Sequence, residues 1–274
     1  MTRRPDWAVF LSPSAYRYFM QCVVAELEAR GLAYDLWDGG LSLRDPPVKV
    51  GLVNLAQTCR RAVPPRWPGL VRSFVDQVLA AANEDDALLE LVRDPARARS
   101  TLRSKLCADE SLREARREDL VLVRVASALS LCVVWDLPTT VRFTARAEVA
   151  AWNLADQALV DLGLANVRAS EPVERCALAT DDGTRASELS GASHFAASHA
   201  MLLDTHLAGA PTAVVWVPNR HTVFFAAAAD LDDARRAIRS IGPLAARAFQ
   251  RGPGSLSPDP LWWNRGRLGD LPPA

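Results

Sequence analysis

Apolar residues recur near the start of the chain at the spacing of one helix face. Tyr16, Phe19, Met20, Val23, Val24 and Leu27 follow Ser14, and Gly31 stands where a helix can close in a left-handed turn. The period then changes. Leu32–Trp37 and Leu41–Leu43 flank Asp38-Gly39-Gly40, whose glycines accept positive φ, so this stretch predicts a β-hairpin, with Val48–Val53 as a further strand. Prolines 64, 65 and 68 interrupt the pattern, after which Val71, Phe74, Val75, Val78 and Leu79 mark one face of a second helix. Glu84, Asp85, Asp86 and Pro95 form a polar joint, and the chain is divided there into an N-terminal lobe, 1–92, and a C-terminal lobe, 93–274.

Beyond the joint, Arg97, Arg99, Arg103 and Lys105 alternate with small or apolar residues, which predicts a strand with all four cations on one face. A charge-rich stretch, Asp109–Asp119, leads to Ser130–Asp136, β-branched and aromatic enough for a buried strand that ends before Pro138. Leu154–Val167 reads as a helix with Asn153 as its N-cap. A helix is predicted from Ser193 to Leu207. Thr212–Val217 and Thr222–Ala228 follow as two strands joined by a turn at Pro218-Asn219-Arg220, and Asp230 caps a last helix carrying Leu231, Ala234, Ile238 and Ile241. The remaining residues, rich in proline and glycine around Leu261, Trp262 and Trp263, read as irregular but anchored to the core. Helices and hairpins without regular βαβ alternation predict an α+β fold, helices packed on small antiparallel sheets in two lobes.

Composition narrows the class. Hydrophobic residues make up 49% of the 274, ample for a packed core without metal or disulfide staples. Thirty-two basic residues balance thirty-two acidic ones, so neither nucleic acid nor an anionic membrane attracts the chain as a whole. Five scattered cysteines, none in a C-x-x-C pair, point to reduced thiols in a cytoplasmic setting, and Cys107 and Cys132 read as small buried hydrophobes. The longest apolar run, Leu120–Trp135, is broken by Arg124 and is too short to span a membrane.

The sharpest chemical signal is that all four histidines, His194, His199, His206 and His221, fall in one window. On an α-helical wheel started at Phe195, His199 and His206 lie at about 40° and about 20°, on the apolar stripe, with His194 and Asp204 nearer solvent. Seven residues of helix place the first two about 10 Å apart, too far to share one zinc ion, so this pair by itself is not expected to bind a metal; no metal site is expected elsewhere, and no cofactor. Either imidazole can line a cleft as a general base, with Asp204 or Asp136 beside it, or satisfy a backbone carbonyl in the core. Asn219, Arg220 and His221 on the hairpin turn are the candidate ligand-binding group, since loop polar residues on a rigid hairpin are where binding tends to lie. The face from Arg97 to Lys105 is a candidate for anions or nucleic-acid phosphates. Ser193 and Ser198 precede histidines but sit in no nucleophile elbow, and Gly252-Pro253-Gly254-Ser255 is at most an amide-lined turn. Trp262 and Trp263 offer either a stacking platform or a tail anchor.

Several blocks also carry a family resemblance: LCVVWDLP at Leu131–Pro138, DDG at Asp181–Gly183, HFAASHAMLLDTHL at His194–Leu207, VWVPNRHTV at Val215–Val223 and GPGSLSPDPLWW at Gly252–Trp263. In order and spacing they resemble the YtpQ-like family of uncharacterised bacterial proteins over roughly residues 95–263. The basic segment Ala98–Leu106 stands where that family has a comparable Arg-Ser-Thr strand. The resemblance implies a bacterial, cytosolic α+β protein and brings no catalytic residue set with it. The leading expectation is a non-enzymatic binding or regulatory protein whose C-terminal lobe recognises a protein partner or a small ligand. The alternatives are a hydrolase or transferase with a histidine base, and anion or nucleic-acid binding through the basic segment.

Overall fold

The computed structural model describes residues 4–82, 88, 90–112, 117–138, 140–180, 182–207 and 209–272. Glu84, Asp85, Asp86 and Asp181, and part of the Asp109–Asp119 stretch, lie outside the described residues. The fold is α+β, with three antiparallel sheets. It divides into two compact units, residues 1–90 with 138–140, and residues 91–137 with 141–274. Among the described residues no helix is long and apolar enough to cross a membrane.

The smaller unit opens with α1, Pro13–Ala29, whose N-cap Ser12 accepts the Ala15 amide at 3.2 Å and whose buried face is Tyr16, Phe19, Cys22, Val23 and Leu27. Gly31 follows at φ +65°. Strands β1 (Tyr34–Trp37), β2 (Gly40–Arg44) and β3 (Pro47–Gly51) form a meander. A Cβ at Gly40 would lie 2.2 Å from the Val50 carbonyl oxygen, so only glycine lets the turn meet its neighbour. The third strand ends earlier than its sequence suggests. Val53 instead begins α2, Val53–Arg61, which buries Leu55, Ala56 and Cys59 and escapes sequence reading because Leu52 offers no side-chain cap. Helix α3, Trp67–Ala82, completes the core with Trp67, Val71 and Val75.

The larger unit starts with a correction. Asp94 accepts the amides of Ala96 and Arg97, Pro95 occupies the first turn, and Pro95–Thr101 is therefore a helix, α4, rather than the first half of a strand. Strand β4, Leu102–Ala108, pairs with β6, Leu129–Asp136, which also pairs with β5, Leu122–Ala126, and β7, Val141–Phe143. Helix α5, Asp156–Ser170, lies on β4, where a Cβ at Gly163 would stand 2.4 Å from Ser104 Oγ. That hydroxyl donates to the Val160 carbonyl at 2.8 Å. Asn153 does not cap α5; it closes the preceding 3-10 turn at φ +51°.

The third sheet carries six strands: β8 (Glu174–Leu178), β9 (Ala186–Ser190), β10 (Thr212–Asn219), β11 (Thr222–Ala227), β12 (Leu261–Asn264) and β13 (Arg267–Asp270). Their order is β13-β12-β10-β11-β9-β8. The tail expected to be irregular is thus a hairpin, turning at Arg265 and Gly266 with both φ positive. Trp263 is buried and Trp262 half-buried, as an anchor requires. On one face of the sheet, Val214, Trp216, Phe224 and Ala226 pack on Ala234, Ala237, Ile241 and Ala245 of α6, Leu231–Arg251. Asp230 caps α6 by accepting the amides of Asp232 and Asp233.

The opposite face is crossed by the histidine segment. It is not an α-helix but a 3-10 helix, Ala196–Thr205, with non-helical backbone at Leu202. Long 3-10 runs are uncommon because their hydrogen bonds are poorly aligned, so tertiary bonds must hold this one. The Ala197 amide bonds the Arg220 carbonyl, Ser198 Oγ accepts the Leu106 amide from the edge of β4, and His199 bonds the Glu171 carbonyl.

Candidate functional site

The 3-10 helix runs from the β10–β11 turn to the mouth of a cleft, and the polar groups at its two ends differ in kind. At the turn, Asn219 is 4% exposed; its Oδ1 accepts the His221 amide at 2.9 Å and its Nδ2 donates to the Ala248 carbonyl at 3.4 Å. A Cβ at Gly252 would lie 2.4 Å from that Nδ2, and one at Gly254 would lie 2.8 Å from Arg220 Cδ. The glycines of the Gly252–Ser255 segment therefore seat the turn; the Gly254 carbonyl accepts the Arg220 amide. Arg220 Nε donates to His221 Nε2 at 3.0 Å, so His221 carries its proton on Nδ1, which donates to the Gly191 carbonyl at 3.1 Å. All three predicted ligand-binding residues thus build the turn.

The structure does bring Lys105 and Arg220 together electrostatically, around His194, whose ring is 6.1 Å from that of His221. Although His194 is exposed as a residue, burial of its ring, then the charges of Arg220, Lys105 and His221, push its imidazole down to about 4.

The basic strand face dissolves. Arg97 and Arg99 project from α4, Arg99 stacking at 5.4 Å over Trp152. Arg103 is sequestered on β4, its Nε 3.7 Å from Asp136 and 3.6 Å from Glu171. Of the four, Arg103 and Lys105 alone stand on the strand, because Arg97 and Arg99 belong to a helix and a helix and a strand do not share one face. Burial, with Glu171 adding and Arg103 opposing, raises the Asp136 carboxyl above its usual range, as expected for a partly enclosed ion cluster rather than a base beside a histidine.

Among the histidines the kink at Leu202 revises the expected separation. The His199 and His206 rings stand 6.2 Å apart. Among the described residues no three His, Cys, Asp or Glu side chains gather as a metal site. His199, 6% exposed, bonds the Glu171 carbonyl through Nε2 at 2.8 Å, and burial lowers its pKa, so it is a neutral core histidine. Asp204 is exposed and pairs with Arg168 at 3.3 Å, and its charge reaches the His206 ring without a hydrogen bond to it. Ser198 is buried on the Leu106 amide, and Ser193 Oγ accepts the Phe195 amide. Cys107 and Cys132 are buried, as their sequence setting suggests.

His206 is different. It is half-buried, 6.5 Å from the Phe225 ring, and lines a cleft of about 620 Å³ that sequence reading missed. The cleft lies against the β8–β9 hairpin. Its walls include Arg175, Thr184, Arg185 and Ser187, its floor Leu207 and Phe225, and no carboxylate lines it among the described residues. Arg175 donates through Nη1 to the His206 carbonyl at 2.7 Å and through Nε and Nη2 to Ser187 Oγ at 3.2 Å, with its guanidinium 5.4 Å over Phe225. Arg185 is exposed and enters no ion pair among the described residues. Thr184 Oγ1 is buried, and the Thr184 amide donates to Asp182 Oδ1 at 3.1 Å. Burial, then His199 and Arg175, with Asp204 opposing, lower the His206 pKa, so the ring is neutral near pH 7 and can accept or donate one hydrogen bond. The signal that could have located this wall was in the chain: two short runs around Asp182-Gly183 with the composition of a hairpin. Comparison of the chain with models of known families, with curated proteins and with solved structures finds no match.

Proposed function

We propose that the protein is a cytoplasmic, non-enzymatic binding protein whose larger unit takes an anionic ligand with an apolar portion in the β8–β9 cleft. One observation carries this reading: a cleft holding two arginines and a neutral imidazole over an apolar floor, with no carboxylate among its described lining residues. An anion entering it meets cationic donors and no carboxylate among its described lining residues, and Arg185 is the donor not held by an ion pair or hydrogen bond among the described residues. The cleft's size falls in the range of small-molecule sites, about 300–1,000 Å³. We also propose membership of the YtpQ-like family, since three of the resembling blocks supply Gly183, the 3-10 helix and the β10–β11 hairpin around this face.

The test uses phenyl phosphate and benzoate as probes, each an anion on an apolar ring, followed by calorimetry and thermal shift. Both should bind the full chain, and Arg185→Ala should weaken them about tenfold, the size of one lost charge-assisted hydrogen bond. Binding that is unchanged in Arg185→Ala, or absent for both probes, removes the reading. The hydrolase or transferase alternative rests on His206 alone, because His199 and Asp204 are engaged elsewhere.

A further inference from the structure

The six-stranded sheet has two edges, and the fold treats them differently. Beside β13, the Asp270 carboxylate accepts the Ser127 amide at 3.0 and 3.1 Å and its hydroxyl at 2.9 Å, tying that edge to the β5–β6 turn. Strand β8 has β9 on one side and no strand on the other among the described residues, and Glu174, Arg175, Cys176 and Ala177 are all exposed. An uncovered edge presents a row of backbone donors and acceptors in position to pair another strand. Arg175 and Ala177 also line the cleft, so a strand added to β8 would run along its mouth, with alternate side chains directed toward it.

We propose that β8 receives an extended acidic segment of a partner protein as a seventh strand, one of whose carboxylates pairs with Arg185 in the cleft. This rests on the anion-binding reading of the cleft and specifies its ligand. The added strand supplies main-chain hydrogen bonds for affinity, and its inward side chains supply the choice of sequence. Charge decides the occupant. A second copy of the chain paired antiparallel about Cys176 would set Arg175 opposite Ala177 on the cleft face. Its Glu174, alternating with Arg175, would fall on the other face. Self-pairing thus adds cations to a cationic cleft and brings no acid to it. An acidic strand answers both features.

The probe is an acetylated, amidated octapeptide of alternating valine and glutamate with a fluorescent label, titrated with the full chain and read by anisotropy. It should bind, weaken about tenfold in Arg185→Ala, and lose binding when glutamate is replaced by lysine. Two further peptides carry N-methyl groups on alternate amides, one in each phase. An added strand bonds β8 through only one phase, so one of the two should lose binding and the other keep it. If both N-methylated peptides bind like the parent, the peptide is held by charge alone and strand addition is wrong. If benzoate binds and the peptide does not, strand addition is wrong while the cleft reading stands; if neither binds, both fall. Sedimentation gives the remaining outcome: a dimer that mild oxidation cross-links through Cys176, the exposed one of the five cysteines, makes a second copy the occupant and overturns the proposal.

Discussion

The two ends of the 3-10 helix hold similar residue types and use them in opposite ways. At the turn, Asn219, Arg220 and His221 satisfy one another and the backbone around them; at the cleft, Arg185 and His206 face open volume. Polar residues crowded on a tight turn carry out the work of making it tight, because a buried turn must pair its amides and carbonyls within itself. Binding capacity is found instead where polar groups line space that the chain leaves unfilled. Arg175 marks the border between the two cases. It faces the cleft, yet its donors are engaged by Ser187 and the His206 carbonyl.

The strongest way to break the comparison is at the turn. Gly252→Ala forces a methyl group to within 2.4 Å of Asn219 Nδ2. The side chain must move and release the partly buried His221 amide, at a cost of about 2–4 kcal/mol. Chemical denaturation should show this loss, whereas Arg185→Ala should stay within about 0.5 kcal/mol of the parent while reducing anion binding. Equal stability losses would erase the distinction between the two ends.

A smaller effect separates His199 from a catalytic role. Its pKa is lowered in the fold, so the unfolded chain takes up the proton first as pH falls. Its contribution is complete above the unfolded value of about 6.5 and is lost as pH drops below that toward the folded pKa. The parent should lose stability as pH falls through about 6.5 and below, His194 and His206 contributing in the same direction, and His199→Gln, which keeps a donor for the Glu171 carbonyl, should lose less than the parent. A steeper loss in the variant would contradict the neutral core assignment. Smallest of all is Asp204→Ala. Its partner Arg168 is as open as Asp204 itself, so the pair should contribute no more than about 0.5 kcal/mol and the substitution should leave benzoate binding unchanged.

Much of the fold was legible because its signals are local. The apolar face of α1, the glycine turn before β2, the buried run of β6 and the Asp230 cap each need only a few neighbouring residues to be recognised. Errors arose where a local signal had two readings. Alternating Arg and small residues fit a strand, but Asp94-Pro95 starts a helix there, and that choice scattered the four predicted cations. Likewise, the Ser193–Leu207 pattern is helical, but bonds from Ala197, Ser198 and His199 to other elements tightened it to a 3-10 form and bent it at Leu202.

The sequence by itself determined the α+β class, most element positions and the burial of His199, though not the opening of His206 onto a cleft, since hydrophobic period and capping chemistry act over a few residues. Tertiary structure alone decided which polar groups remain available. Whether Asn219 or Arg185 can meet a ligand depends on Gly252, Ala248, Phe225 and the uncovered edge of β8, partners that only folding brings near.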